Sequence, residues 1–359
     1  MEQLIKNSRR FLAVTSLSFF AVIALMSSCK KSYTTATVVN AQSFTRVNLV
    51  SSTSLAGIVD ANLVNGWGLS FSPTGTAWIS SQAKGVSVVY DQTGAQKLAP
   101  VIIPSASSPA GGAPTGQVFN ATTDFTITGG SPAKFIFAGA DGVISAWNSG
   151  AAAIKVVDRS ATSAYLGITL ATNASANYLY AADFRSGKID VFDKNFTMVS
   201  MSFTDPSLPS GYSPFNIQNI GGLLYVMYAR VDATSHEEQK GSGFGYVDVY
   251  NTDGSFVKRF ASQGALNAPW GIAQAPSGFL TASSSAILIG NFGDGRINAF
   301  DMSGNFLGSL QSGGTIIQVD GLWGISFAPS SATTVNPNWL FFAAGPSDES
   351  QGLFGYITN

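Results

Sequence analysis

Apolar and polar residues form short runs that recur in a fixed order along the chain. The first kind of run has a large apolar residue, then a small or polar one, then Leu or Ile. Its six copies are "WGLSF" at Trp67, "FTITG" at Phe125, "LGITL" at Leu166, "FNIQN" at Phe215, "WGIAQ" at Trp270 and "WGISF" at Trp323. Successive copies start 41 to 58 residues apart, and a period of this length is typical of repeat architectures.

Two more runs follow each copy. The second kind comprises "TAWISSQ", "KFIFAGA", "YLYAADF", "LLYVMYA", "AILIGNF" and "WLFFAAG". The third begins with Gly and alternates at period two, as in "GVSVVYD", "GKIDVFD" and "GRINAFD", which predicts half-buried strands. The turn signals "DQTG", "NTDG" and "DMSG" then lead three copies into a fourth strand.

Six units of four strands predict an all-β fold, a six-bladed β-propeller in which each blade packs on its neighbours. The last copy reaches Asn359 after three strands, whereas the strand "FTRVNLV", Phe44 to Val50, precedes the first copy. We therefore expect this N-terminal strand to complete the last blade and close the ring, which removes open strand edges. Residues 44–359 form one domain in this interpretation, and we expect a monomer.

Composition supports a strand-rich fold, because only 11% of residues are charged and 38 are Gly. Long surface helices rich in Glu and Lys are thereby excluded. The formal net charge is −1, and a nucleic-acid partner is not expected because phosphate binding needs a concentrated positive face.

The first 28 residues have the pattern of a lipoprotein signal peptide. Basic residues precede an apolar run at 11–26, which is too short to span a bilayer as a helix. The only cysteine, Cys29, follows the small residues Ser27 and Ser28 at the end of that run. We expect Cys29 to be lipidated and residues 29–43 to form a polar tether. The protein would then be exported and held on a bacterial membrane, with the outer membrane and its periplasmic or surface face as the expected place. The alternative is a plain secretory signal with an incidental cysteine.

Several segments resemble a family of exported bacterial propellers described as conserved hypothetical proteins. They are "NGWGLSFSPTG" (65–75), "LYAADFRSGKIDVFD" (179–193), "APWGIAQAP" (268–276), "IGNFGDGRINAFDMSGNFLG" (289–308) and "DGLWGISFAP" (320–329). More distantly, the repeats are similar to NHL-type propellers and the gluconolactonase group. The resemblance implies the propeller fold and export, and it implies no established activity.

Catalytic residues are not evident in the sequence. The single histidine, His236, lies in the polar insertion "DATSHEEQKGSG", whereas Zn²⁺ or Cu²⁺ sites need several His or Cys ligands. No G-x-S-x-G turn presents a serine nucleophile. We therefore predict no catalytic residues and no bound cofactor, with Ca²⁺ or another divalent cation as the one candidate because oxygen ligands suffice for it.

Candidate ligand-binding residues come from aligning the ends of the second runs. Asp183 is level with Ser81, Gly139, Tyr228, Asn291 and, within one residue, Gly345. Such a ring of positions can surround one mouth of the channel, where gluconolactonase-like enzymes hold a divalent cation with acidic and amide side chains. The candidates are Asp183, Asn216, Asn291, Tyr228, Asp124 and Arg185, with Asp183 and Asn291 as the metal-ligand candidates.

Each of these side chains also has a purely structural interpretation. Asp183 can simply end a strand and start a turn, and Arg185 and Arg230 can pair with nearby carboxylates. Trp67, Trp270 and Trp323 can pack between blades or offer a surface for stacking carbohydrate. The loop "PSASSPAGGAPTG", residues 104–116, can border a site.

Three functions remain open at this point. The leading hypothesis is a noncatalytic cell-envelope lipoprotein whose propeller binds a ligand, glycan or protein partner at one rim. The second is a metal-dependent lactonase-like hydrolase, and the third is a structural envelope protein.

Overall fold

The computed structural model describes residues 43–280 and 285–359. In these residues strands dominate, and the only helix is a single 3-10 turn, Gln82–Lys84. None of the described helical structure is long and apolar enough to cross a membrane. The signal segment 1–28, Cys29 and nearly all of the tether 29–43 lie outside the described residues.

Five blades are built from strands that are consecutive in the chain, and each runs from an inner first strand to an outer fourth strand. Their bounds are, for blade 1, Gly66–Phe71, Ala77–Ser81, Val86–Tyr90 and Gln96–Ile102; for blade 2, Pro114–Phe119, Phe135–Gly139, Val143–Trp147 and Ile154–Asp158; for blade 3, Tyr165–Asn173, Ala176–Asp183, Lys188–Phe192 and Met198–Val199; for blade 4, Tyr212–Ile220, Leu223–Val231, Gly245–Tyr250 and Phe256–Ser262; and for blade 5, Pro269–Ala275, Ala286–Asn291, Ile297–Asp301 and Phe306–Ser309. Short extra strands lie at Glu238–Gln239, Gln311–Ser312 and Thr315–Ile316.

Blade 6 combines the two ends of the described chain. Its first three strands are Leu322–Phe327, Leu340–Ala344 and Leu353–Thr358, and Thr45–Ser51 pairs antiparallel with the third of these. The N-terminal strand thus occupies the outer place that the repeat pattern assigns to it. Ile58–Val59 then adds two parallel residues at the outer edge.

The six first strands contact one another in cyclic order around the central channel, including the last with the first. The Gly of each Trp-Gly pair makes this close approach possible. A Cβ on Gly324 would lie 2.6 Å from the carbonyl oxygen of Trp67, and one on Gly271 would lie 2.6 Å from that of Trp323. Side chains at these positions would hold the neighbouring first strands apart.

The core consists of separate apolar layers between neighbouring blades. Alternate residues of one strand enter alternate layers, as period-two geometry requires. In the second strand of blade 3, Leu179 and Ala181 pack toward blade 2, whereas Tyr180 and Ala182 pack toward blade 4. Each blade is therefore stable only between its neighbours, as expected for a repeat fold.

The sequence assignment of blade 2 was wrong. Its first strand is Pro114–Phe119 and not the "FTITG" segment at Phe125, which lies in the link to the second strand. Thr115 occupies the position that holds Trp or another large residue elsewhere, so the apolar signal is missing. The proposed loop at 104–116 is shortened accordingly, because Pro114 to Gly116 belong to this strand.

Candidate functional site

The central channel is filled by aromatic rings at one end. This end, the upper face, is where the first strands begin and the second strands turn into the third strands. Trp67 and Trp323 stack with ring centroids 3.4 Å apart, and Trp270 meets both edge-on at 5.9 Å. Phe292 also stacks on Trp323, with ring centroids 3.8 Å apart. We call this group, with Phe215 and Phe184, the aromatic plug.

Beneath the plug, residues of all six first strands line a small polar cavity of about 30 Å³. Asn216 lies here, and its Nδ2 donates to the carbonyl oxygen of Trp270 at 2.8 Å. Gln117 and Gln218 also line the cavity. The volume of this cavity corresponds to about one water molecule, so this cavity has no room for a larger ligand.

Asp183 holds the loop that enters its own blade. Its buried Oδ1 accepts hydrogen bonds from the backbone N–H of Ala164 at 2.9 Å and of Ser186 at 3.2 Å. Asn291 likewise holds the loop that enters blade 5, but as a donor: its Nδ2 donates to the carbonyl oxygen of Ala265 at 2.8 Å. These contacts give both side chains a structural role at the strand end.

Ser81 repeats this contact in blade 1. Its Oγ accepts from the N–H of Val64 at 2.8 Å and donates to backbone carbonyl groups of the same segment. Polar side chains at this level of three blades therefore bind the backbone of the preceding link.

The residues that face the channel are one position further along. Phe184 and Phe292, which follow Asp183 and Asn291, belong to the plug, and Ala229, which follows Tyr228, packs in the same buried cluster. Because side chains alternate along a strand, a shift of one residue changes the face. The strand register confirms that Ser81, Gly139, Asp183, Tyr228 and Asn291 are level, and it makes Ala344 rather than Gly345 the sixth member.

The other candidates lie apart from one another. The Tyr228 hydroxyl is 2.9 Å from the Tyr250 hydroxyl in the layer between blades 3 and 4. Arg185 is exposed in a turn, and Arg230 packs over the ring of Phe244 at 4.5 Å.

Asp124 does not project from a first strand, because the first strand of its blade ends at Phe119. It lies in the link to the second strand, at the lower face, where it accepts from Asn177 at 2.9 Å. The interpretation that Asp124 projects from an inner strand was therefore wrong.

The structure shows a different polar site at the upper face, beside the plug. A pocket of about 350 Å³ lies between blades 5 and 6, with Phe292 and Lys240 in its lining. We call it the acidic pocket because its four carboxylates come from three separate segments: Asp294, Asp320, Asp348 and Glu349. Counting Lys240, the lining residues have a formal charge of −3.

Neutral groups donate the hydrogen bonds that fix the carboxylates of blade 6. Glu349 Oε2 accepts from Asn65 Nδ2 at 2.6 Å, and Asp320 Oδ2 accepts from the N–H of Ser347 at 2.8 Å. Asp294 pairs with Arg296 at 3.9 Å, but none of the ion pairs of the described residues includes Asp320, Asp348 or Glu349. The negative charge of the pocket is therefore largely uncompensated.

The backbone of the pocket is strained. Ser347, Asp348 and Glu349 have φ values of 56°, 53° and 63°, which is the left-handed region that costs non-glycine residues about 1–2 kcal/mol each. Strain of this kind is concentrated at functional sites.

A long insertion of blade 4, residues 232–244, brings Lys240 to the pocket. Within it, Glu238 and Gln239 pair with the second strand of blade 4. The N–H of Gly241 then donates to Asn267 Oδ1 at 2.7 Å. The Nζ atom of Lys240 lies 4.2 Å from the ring centroid of Phe292.

Two acids, Glu349 in the pocket and Glu238 two residues before Lys240, have raised pKa values. Burial, followed by repulsion from Glu349 and Glu237, raises the pKa of Glu238 to about 7, and Lys240 opposes the rise. Burial also raises the pKa of Glu349, against its hydrogen bond from Asn65 and the charge of Lys240. Burial is the main cause of both shifts, and the neighbouring carboxylates add to them.

The described residues contain no group of three or more His, Cys, Asp or Glu side chains arranged to hold a metal ion. The lone His236 is exposed in the insertion. The arrangement can thus bind a cationic group by charge and by the aromatic face of Phe292.

Sequence reasoning missed this pocket, because Lys240, Asp294, Asp320 and Glu349 are far apart in the chain. One signal was available. The segments "NFGDG", "VDG" and "PSDES" all place a carboxylate in a link at the upper face.

Comparison with known proteins identifies relatives without a defined activity. No family model matches the sequence. One uncharacterized protein of Acanthamoeba polyphaga mimivirus is 36% identical over 325 residues, which cover 85% of this chain and 77% of the relative. A second from the same virus is 33% identical over 323 residues, covering 84% and 82%. The chain belongs to the same family as these two proteins.

Among solved structures, virginiamycin B lyase from Staphylococcus aureus aligns with a TM-score of 0.52 and 13% identity, covering 88% of this chain and 99% of the lyase. A gluconolactonase from Xanthomonas campestris aligns with a TM-score of 0.48 and 15% identity, covering 83% and 87%. The lyase alignment supports the six-bladed propeller fold. The expectation of an exported bacterial family has no support from the viral relatives.

Proposed function

We propose that this protein is a noncatalytic ligand-binding propeller whose ligand site is the acidic pocket. The observation that carries the proposal is the position of that pocket. The channel, where propellers commonly bind ligands, is filled by the aromatic plug, and the roughly 350 Å³ of open space lies directly beside it. This volume is in the range of small-molecule sites.

The choice of a binding function over hydrolysis follows from the side chains available. Asp183 and Asn291, the metal-ligand candidates of the lactonase hypothesis, are engaged with the backbone of two different blades. The acidic pocket instead offers charge, an aromatic face and backbone of several glycines. Binding of a glycan or a protein partner at the upper face stays a prediction.

The test is a ligand screen on the full chain by thermal shift and ligand-detected NMR, with small cations, saccharides and short peptides. Hits should lose at least tenfold in affinity in the Asp320→Asn/Glu349→Gln double variant. The Asp193→Asn/Asp253→Asn double variant removes the same charge from exposed or partly exposed turns and should bind normally. Retained affinity in the pocket variant, or conversion of the hit during the NMR experiment, would contradict the proposal.

We also propose that the chain is exported and lipid-anchored through Cys29, and the basic and apolar pattern of residues 1–28 supports this. In a bacterial host, radioactive palmitate should label the full chain and not its Cys29→Ala variant. Equal labelling of the two chains, or none in either, would contradict anchoring.

A further inference from the structure

Lys240 places a primary ammonium group of the chain itself in the acidic pocket. Its Nζ atom lies 4.2 Å from the centroid of Phe292, and the Phe292 ring also stacks on Trp323 at 3.8 Å. The plug therefore fixes Phe292 on one side, and a cation on the ring is held by its quadrupole.

The single ammonium group of Lys240 does not neutralise the four carboxylates of the pocket. The lining keeps a formal charge of −3 with Lys240 counted, and Asp320 and Glu349 receive hydrogen bonds from neutral amide groups. Fixed negative charge without a counter-charge attracts a cationic ligand.

Lys240 can also leave without unfolding its surroundings. The residue is exposed, and its side chain is in no ion pair of the described chain. Its backbone is held separately, because the next residue, Gly241, donates to Asn267. A flexible four-carbon stem lets the ammonium move to solvent.

We propose that the acidic pocket binds a ligand with a primary alkylammonium group, and that the ammonium of Lys240 occupies the ligand's position in the unliganded protein. This inference rests on the proposed function and adds the ligand class. Lys240 acts as an internal competitor in this account, so its removal makes the site available.

The test measures binding of n-butylammonium chloride to the full chain by ligand-detected NMR at fixed ionic strength. Tetramethylammonium and guanidinium are the comparison cations, and n-butanol is the uncharged control. Butylammonium should bind better than all three. Lys240→Gln should tighten its binding by about tenfold, because the competitor and its repulsive charge are gone.

Lys258→Gln is the matched control, since Lys258 also lies over a phenylalanine ring, Phe260 at 5.3 Å, outside the pocket. It should leave butylammonium binding unchanged. Unchanged or weaker binding in Lys240→Gln, or equal binding of all three cations, would overturn the inference.

The outcomes also separate this inference from the proposed function. If butylammonium fails to bind both wild type and Lys240→Gln while another screened compound depends on Asp320 and Glu349, the ligand class is wrong and the site stands. If no compound depends on those two carboxylates, the site itself is wrong.

Discussion

The indole rings of Trp67 and Trp323 stack with centroids 3.4 Å apart and join the first blade to the last. Trp67 is 6% exposed and Trp323 is fully buried. The contact lies at the upper end of the channel, where the first strand of blade 6 meets the first strand of blade 1.

Loss of this contact should destabilise the whole propeller. We expect Trp67→Ala to lower the free energy of unfolding by about 3–5 kcal/mol, as for other buried aromatic truncations. Trp339→Ala is the control, because Trp339 stacks on Tyr356 at 3.8 Å but is only partly buried, and it should cost less. Equal losses in urea denaturation would show that the plug has no special role.

The glycines of the Trp-Gly pairs should tolerate no side chain. In Gly324→Ala the new Cβ would lie 2.6 Å from the carbonyl oxygen of Trp67, so we expect a loss of about 1–3 kcal/mol from overpacking. Gly57 has open space around it, and Gly57→Ala should be neutral or slightly stabilising. Thermal unfolding of the two variants measures the difference, and similar melting temperatures would contradict the close packing of first strands.

Asp183 should matter for stability rather than for binding. Removing its carboxylate leaves the part-buried N–H of Ala164 without its acceptor. We expect Asp183→Ala to lower the free energy of unfolding by about 1–3 kcal/mol. The matched control is Asp193→Ala. Asp193 Oδ1 accepts from the N–H groups of Asn195 and Thr197 in a more exposed turn, so this variant should lose less free energy of unfolding. Denaturant titration checks this, and unchanged stability with lost ligand affinity would restore the ligand-facing interpretation.

The raised pKa of Glu238 predicts a pH dependence with a definite sign. Between pH 4.5 and about 7 the folded state keeps a proton on Glu238 that the unfolded state has lost. Its contribution to stability is therefore present below pH 4.5 and is lost as the pH rises through about 7.

Glu238→Gln should remove this part of the decline in melting temperature between pH 5 and pH 8. Glu237→Gln should remove less, because Glu237 is exposed and acts only by repulsion. A Glu238→Gln profile parallel to wild type would show that Glu238 titrates normally.

The repeat pattern was readable because the fold imposes it on every blade. Trp67, Trp270 and Trp323 mark first strands, and Gly follows each because the next strand passes at that point. The first strand of blade 2 was assigned wrongly because Thr115, at the corresponding position, is not a large apolar residue.

The site was harder to predict for two physical reasons. Alternation along a strand makes a shift of one residue decisive, so Asp183 was chosen where Phe184 faces the channel. The acidic pocket is assembled from links of three consecutive blades, and the packing of these blades brings Lys240, Asp294 and Glu349 together.

The most direct measurement of the central claim is the affinity of the full chain for n-butylammonium in two variants. Asp320→Asn/Glu349→Gln removes two carboxylates of the acidic pocket, and Asp183→Asn removes the charge of the residue that the sequence favoured. We expect at least a tenfold loss in the first and wild-type affinity in the second. Wild-type affinity in the pocket variant with a loss in Asp183→Asn would contradict the account.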